Sequence, residues 1–541
     1  MKKHNISKWL LACTVFLASC EQGLDGLNDN PNRPTPDMYD FNKSALGTVL
    51  RYGADLNFRG DGGMTGAAHL HERIKNLNID FYSQYINPSG GWTTRNYTPN
   101  NGWNADFWKG HYQWLSAVNT IIAQGKDIAV RQNSVALARI WRVYVQSQAT
   151  DYFGPIPFPK SPADQTPDYE SLEKQYAFFF TELDEAVKQF NPDGDFLTVE
   201  DQIYFGDMTK WKQFANSLRL RLAMKLSEVN PQLCKAQVEA ALTASGGLMQ
   251  AGGDARIAGT SGWGNAYNYF MYQVSWGEKM SMTSTFAKIL TGIGGIAYDG
   301  SATTAPAVVD PRGSRYFDPS INGKKWTGVY PGLPSDEHVN IGPNNSYISE
   351  IYVIPNDKKK IDLFLFPEVC FLVAEAAERG FVSQNAKQWY EAGVKASFAA
   401  WSVQGADNYL LSNAKNGWGT SANYDDNTGA GNTRLEKIIT QKYIANYPDV
   451  SYQAWNDKRR LNLPAFDVPK YRDPGAGTFP AGNDIKDAKN FISRQIFPQS
   501  EALNNQAKYA AGVQLLGGAD KVSTNLWWDL DKNYSTSVQA Q

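Results

Sequence analysis

Residues Ser134–Lys160 read SVALARIWRVYVQSQATDYFGPIPFPK, and the change of pattern within them decides the fold. Leu137, Ile140, Tyr144 and Ser147 recur at spacings of three and four, the period of a helix with one packed face. From Ala149 to Lys160 that period stops. Tyr152 and Phe153 can pack under the end of the helix, Gly154 permits a turn, and Pro155 and Pro157 hold the exit extended.

Working outward, the same helical period returns in Asn104–Gln124, where Phe107, His111, Trp114, Val118 and Ile121 share a face. It returns again in Glu170–Phe190, Asp207–Val229, Leu365–Arg379, Ala386–Trp401 and Thr433–Tyr447. Small residues (Ala138, Ala186, Ala215, Ala223, Ala374, Ala377) lie beside bulky ones, the mix that lets helices stack in pairs. Tetratricopeptide-like pairs have this composition, although no 34-residue consensus repeats. The expectation is a mainly α fold.

Between about residues 246 and 355 the helical period fades into Gly, Ser, Asn and aromatics, as in TSGWGNAYNYFMYQVSW. Two further loop-rich patches run from Gln404 to Asn432 and from Pro464 to Asn490. Long irregular segments on a compact scaffold usually carry function. No Pro/Ser linker or charge run divides the chain, so residues 37–541 are expected to form one helical domain with a loop-rich insertion.

The chain opens MKKHNISKWLLACTVFLASCEQ. Lys2, Lys3 and Lys8 precede the apolar run Trp9–Leu17, which is far shorter than the roughly 20 residues a membrane-crossing helix needs. Basic start, short apolar run and small residues together read as an export signal. Leu17-Ala18-Ser19-Cys20 also resembles the bacterial lipobox. On that reading residues 1–19 are removed, Cys20 carries lipid, and residues 20–36 form a tether. The alternative is a plain signal with an incidental cysteine. Each acyl methylene buried in a bilayer contributes about 0.8 kcal/mol to such an anchor.

Loss of residues 1–19 removes three lysines and no acids, taking the formal charge from −2 to −5. That balance is too weak and too mixed to suggest nucleic acid. Cys13 leaves with the signal and Cys20 carries lipid, so Cys234 and Cys370 remain; a disulfide between them is open. Cys370 lies in the apolar helical run FPEVCFLVAEAAERG, which favours a buried thiol.

Enzyme motifs are missing: there is no GxSxG, HExxH, Walker loop or CxxC. Gly292–Ala297 fits GxGxxA on paper but lacks the strand–turn–helix context of a dinucleotide site. His69 and His71 would point to opposite sides of a helix and could share a metal only on a strand. Glycosidase carboxylates are set in space, so sequence alone does not exclude them. No cofactor or metal is predicted, and a structural Ca²⁺ ordering a loop stays open.

Aromatic content is 13%, with 16 Trp. Sugar rings stack their C–H faces on Trp and Tyr, while their hydroxyls seek Asn, Asp, Arg or Gln at the rim; comparable base stacking contributes about 1–3 kcal/mol per contact. Three loop stretches supply this mix: Trp92, Arg95, Asn96 and Tyr97; Trp263, Tyr267, Asn268, Tyr269 and Tyr272; Trp326 and Tyr330. The competing reading for each ring is packing onto the scaffold.

Several stretches together resemble the SusD/RagB outer-membrane lipoproteins of Bacteroidetes. These are the lipobox followed by LDGLNDNPNRPTP, ATDYFGPIPFPK (Ala149–Lys160), KWKQFANSLRLRLAMKLS (Lys210–Ser227), FPEVCFLVAEAAERG, IITQKYIANYPDVSYQAWNDKRR (Ile438–Arg460) and SRQIFPQSEALNNQA (Ser493–Ala507). The resemblance implies a SusD-like fold of about eight helices in four tetratricopeptide-like pairs, with long loops forming a binding face. It implies no catalysis. It also implies a lid over a SusC-like TonB-dependent transporter that imports oligosaccharides, or peptides as some members do. Glu21 and Asp25 after the cysteine resemble the tag that sends such lipoproteins to the cell exterior. Ligand residues of the family lie in variable loops, so the aromatic candidates rest on chemistry alone.

Overall fold

The computed structural model describes residues 45–54, 70–88, 97–164, 166–195, 200–257, 280–296, 308–323, 325–333, 343–349, 361–470 and 492–538. Residues 1–44, with the signal, Cys20 and the tether, lie outside the described residues.

The principal helices, in chain order, are α1 (Gly47–Ala54), α2 (Asn101–Gly125), α3 (Gln132–Phe153), α4 (Leu172–Gln189), α5 (Met208–Lys225) and α6 (Pro231–Thr243). They continue with α7 (Ser284–Leu290), α8 (Phe366–Glu378), α9 (Ala386–Ala400), α10 (Arg434–Asn446), α11 (Ser451–Leu461), α12 (Gln499–Asn504) and α13 (Gln506–Leu516). Their starts follow local chemistry. Side chains of Asn100, Ser171, Asp207, Asn230 and Asn385 accept hydrogen bonds from the first turns of α2, α4, α5, α6 and α9. Thr433 and Glu436 form a reciprocal capping box on α10, and each such cap satisfies a backbone donor that would otherwise lose its partner.

Neighbouring helices pack in sequence: α2 on α3, α3 on α4, α4 on α5, α5 on α6, then α8 on α9 and α10 on α11. Helix α8 also packs on α5 and joins the two stacks. The mainly helical, paired architecture is therefore as expected. Its interior is aromatic: Trp141 meets Trp211 edge-on at 6.1 Å and Tyr144 face-on at 4.8 Å, geometries that add to plain area burial.

The turn at the end of α3 takes the expected form. Tyr152 and Phe153 are buried, and Phe107 contacts them at 5.0 and 5.5 Å. Gly154 has φ of +98°, and a Cβ there would sit 3.0 Å from both Leu516 and Leu526, so glycine is required twice over. The exit forms β2 (Ile156–Pro157), antiparallel to β3 (Tyr169–Glu170), and a second two-stranded pair joins β4 (Ala255–Ile257) to β8 (Ile361–Phe364). Arg494, from the closing SRQIFPQSE stretch, donates from Nε to the Phe153 carbonyl at 2.8 Å and from Nη1 to Asp520 at 2.5 Å. Two stretches 341 residues apart are thereby locked together.

Charged side chains are buried in the core as matched pairs. Arg460 forks onto both oxygens of Glu375 at 2.6 Å and onto Asp457 at 2.8 Å, all within the core. Arg221 forks onto Glu368 at 2.8 and 2.7 Å and stacks over Phe364. Lys225 pairs with Asp151, which also accepts from Tyr176 and Asn456. Cys234 and Cys370 are free, buried thiols, so the disulfide left open by the sequence is not formed. Burial pushes the Cys234 thiol up to about 12. Among the described residues no helix is long and apolar enough to cross a membrane.

Candidate functional site

A four-stranded antiparallel sheet in the order β1 (Ile86–Pro88), β5 (Met280–Met282), β7 (Tyr347–Ile348) and β6 (Phe317–Asp318) sits at the base of the loop-rich region. Its register pairs Pro88 with Met280 and Ser281 with Tyr347. In chain order, all three aromatic stretches singled out in the sequence precede, follow or separate strands of this sheet. The stretch with Trp92, Arg95 and Asn96 leaves β1, and that with Trp263 to Tyr272 enters β5. Trp326 and Tyr330 lie between β6 and β7, and Val329 between them is tied into the sheet. Its N–H donates to the Met282 carbonyl at 2.7 Å, and its carbonyl accepts from Ser284 at 2.9 Å.

Below the sheet a polar cluster holds these anchors in place. Gln84 donates from Nε2 to the Asp467 carbonyl at 2.9 Å and accepts from Thr285, while Thr283 donates to the Gln84 carbonyl. The Asp467 carboxylate, fully buried, accepts from Ser284 and Lys288, each at 2.5 Å. Lys288 in turn lies 4.6 Å over the Trp418 ring. Tyr330 is half-buried; burial and then the Asp467 charge push its hydroxyl pKa up, so the phenol remains a hydrogen-bond donor.

The candidate residues divide. Trp92, Arg95, Asn96, Trp263, Tyr267, Asn268, Tyr269 and Tyr272 lie outside the described residues. Tyr97 is 2% exposed and packs 5.9 Å from Tyr82; Trp326 is 4% exposed. In this arrangement those two rings take the packing role rather than offering a face to solvent, because their neighbours already cover them. Tyr330 is the described candidate with an open side. Asp467, Lys288, Gln84 and Trp418 were not foreseen: an isolated Asp or Lys carries no periodic signal, and only Trp418 stood in an aromatic loop patch.

Other expectations resolve in place. Within the Gly292–Ala297 stretch, Ile293–Gly295 is a 3-10 turn after α7, with Gly292 and Gly294 at positive φ; Ala297 lies outside the described residues. Among the described residues no group of His, Cys, Asp and Glu could hold a metal ion. In the patch after Gln404, the Lys437 ammonium occupies a ring of oxygens from Ser421 and Asn432. Burial lowers its pKa to about 8.

Comparison with known proteins gives a consistent picture. The family model described as SusD-like, Susd and RagB outer membrane lipoprotein, matches residues 27–529. A SusD homologue from Parabacteroides distasonis superposes with a TM-score of 0.84 at 40% identity, over 92% of this chain and 100% of that one. A second homologue, from Bacteroides vulgatus, gives 0.77 at 28% identity over 92% and 99%. A chitin-binding SusD homologue from Flavobacterium johnsoniae gives 0.73 at 27% identity over 91% and 99%. No curated protein matches the chain.

Proposed function

The chain belongs to the SusD/RagB family of outer-membrane lipoproteins, and from that premise we propose that it is a non-enzymatic, glycan-binding lipoprotein of the cell surface. Residues 37–541 form its one domain, Cys20 carries the lipid, and the acidic residues behind it route the protein outward. It captures oligosaccharides and lies as a lid over a SusC-like TonB-dependent transporter, which takes them in.

One observation carries the ligand reading: Pro88, four residues before Trp92, pairs with Met280, which follows the Trp263–Tyr272 stretch in the chain, and Val329 between Trp326 and Tyr330 bonds to Met282 of the same strand. Rings that share a rigid base can present a common platform, and preorganisation lowers the ordering cost of binding. The chitin-binding relative on the same fold supports a sugar as the ligand class. Rings stacking on a shallow face bury little area, which suits a protein that must release its cargo.

The test is calorimetric and gel-retardation binding of the chain from Glu21 to Gln541 to polysaccharides, defined oligosaccharides and peptide mixtures. Binding to one glycan class, weakened at least tenfold by Trp92→Ala or Trp263→Ala, is the expected outcome. Silence toward sugars with a peptide signal would replace the reading by a peptide-binding lid.

A further inference from the structure

A second place in the molecule has the chemistry of a saccharide site. A cleft of about 440 Å³ opens between α2, the segment following β2, and the α12–α13 turn, within the usual size range of small-ligand sites. None of its lining residues belongs to the loop-bearing sheet or to the aromatic stretches it anchors. Half-buried Tyr112 forms its aromatic side, backed edge-to-face at 5.2 Å by Trp108, which is 8% exposed and packs on Phe153 and Phe497, and Pro157, Pro159, Pro162 and Pro167 continue the apolar surface.

The walls are fixed from both sides. From α2, Tyr112 donates to the Pro157 carbonyl at 2.8 Å and Asn119 to the Pro159 carbonyl at 3.0 Å. From the opposite side, Lys508 of α13 donates to the carbonyls of Thr166 and Pro167 and pairs with Asp168 at 3.3 Å. Tyr169 donates to Glu501 at 2.8 Å. The segment between β2 and β3 is thus held open between two helical walls instead of collapsing onto either.

The rim is rich in acceptors. Glu501 accepts from Tyr169 and, at 3.0 Å, from Asn505 through one oxygen, Oε2, which leaves Oε1 for a ligand. Asp164 accepts from the backbone of Lys160 and Ser161 through Oδ2, which leaves Oδ1. Ser116 adds an exposed hydroxyl. Four prolines have no N–H to donate, so this wall cannot add a peptide strand by a backbone ladder.

We propose that this cleft is a second binding site, for a short neutral saccharide. The sugar's C–H face lies on Tyr112 and the prolines, and its hydroxyls donate to Glu501 Oε1, Asp164 Oδ1 and the Ser116 hydroxyl. The site stands whether or not the loop face binds glycan. Its place on the helical scaffold, away from the sheet, gives the protein two points of attachment to one chain, and so an avidity gain where the spacing allows both.

The experiment is saturation-transfer NMR on the full mature chain with maltose, cellobiose, xylobiose and N,N′-diacetylchitobiose as probes. It is run in the parent and in a Trp92→Ala/Trp263→Ala/Tyr267→Ala background that disables the loop face. At least one disaccharide is expected to keep its signal in that background. Ser116→Trp, which fills the cleft from an exposed helix position, should then reduce the signal at least tenfold. Glu501→Gln, which keeps the shape, should weaken it several-fold, with thermal unfolding unchanged in both. A signal indifferent to both substitutions overturns the proposal, as does no signal from any disaccharide. So does a response confined to a lysine-rich peptide, which would make the cleft a peptide site. Failure of the loop-face reading shows separately, as polysaccharide binding that the triple substitution leaves intact.

Discussion

Helix α11 and the sheet β1–β5–β7–β6 both put polar sequence in the interior, and they do so by different means. Every residue of α11, SYQAWNDKRRL, is buried, although four of its eleven carry charge. Its charges are matched by carboxylates and carbonyls: Arg460 with Glu375 of α8 and with Asp457 of its own helix, and Arg459 with the carbonyls of Asp151 in α3 and of Ser493 in the closing stretch, both at 2.7 Å. The sheet instead uses uncharged side chains and backbone groups gathered round Asp467, with Lys288 supplying the one ammonium of that cluster. Ion-pair matching demands specific partners from several helices at once. Backbone anchoring constrains only the strands, and leaves the sequence between them free to serve a ligand.

The sharpest break in this comparison is Arg460→Ala. It takes the two-pronged partner from Glu375 and leaves that carboxylate to Arg379 and Asp457 to Lys442, and removing one member of a buried pair typically costs roughly 3–5 kcal/mol. Urea unfolding should show a loss of that size. The exposed pair of Lys188 and Asp184, at 2.6 Å, provides the contrast: Lys188→Ala should cost no more than about 0.5 kcal/mol. Equal losses would show that the buried network does not set stability.

Trp326→Ala comes next, and it tests the division among the candidate rings. With 4% of its surface exposed, truncation should leave a cavity and cost about 3 kcal/mol. The unfolding midpoint should fall before any effect on ligand appears. An unchanged midpoint with lost glycan binding would return Trp326 to the platform.

Acid gives a third measurement. Burial alone would raise the Glu375 pKa, but Arg460, Arg379 and Lys442 override it and hold the carboxyl at about 2. A depressed carboxyl stabilises the fold fully above its unfolded pKa near 4.5 and loses that contribution as pH falls toward 2. At 1.36 kcal/mol per unit the effect is on the order of 3 kcal/mol. Melting temperature should therefore drop over that window, and Glu375→Gln should flatten the drop while lowering the plateau.

How much of this was legible follows from the same contrast. The helices read at Ser134–Gln148, Asp207–Val229 and Leu365–Arg379 announce themselves because one face is apolar, and they match α3, α5 and α8, although α3 runs five residues further, to Phe153. Helix α6 has only Cys234, Val238 and Ala241 buried, too thin a stripe to read; Asn230-Pro231, its cap and first residue, was the available signal. Helix α11 carried no apolar period because its interior face is charged. It was visible only inside the stretch resembling the family. The aromatic composition pointed to the loop region, and the sheet that gathers those loops could not be foreseen, since strands of two or three residues leave almost no pattern. Nor could the Asp467 cluster, whose members are 383 residues apart at their furthest.

The smallest expected change in stability is the most informative about function. Trp263 lies in the stretch that precedes β5 in the chain, and the pairing on either side of β5 is made by Met280–Met282. Trp263→Ala should shift the unfolding free energy by less than about 0.5 kcal/mol, as surface substitutions do. If the ring stacks on sugar, the same change should remove about 1–3 kcal/mol of binding, a factor of roughly five to over a hundred in Kd. Side by side with Trp326→Ala, the pair separates two uses of one residue type. A ring that packs moves stability first, and a ring that binds moves affinity alone. Should both substitutions lower the midpoint equally, the aromatic richness of residues 246–355 would be structural, and the ligand would have to be sought elsewhere on the molecule.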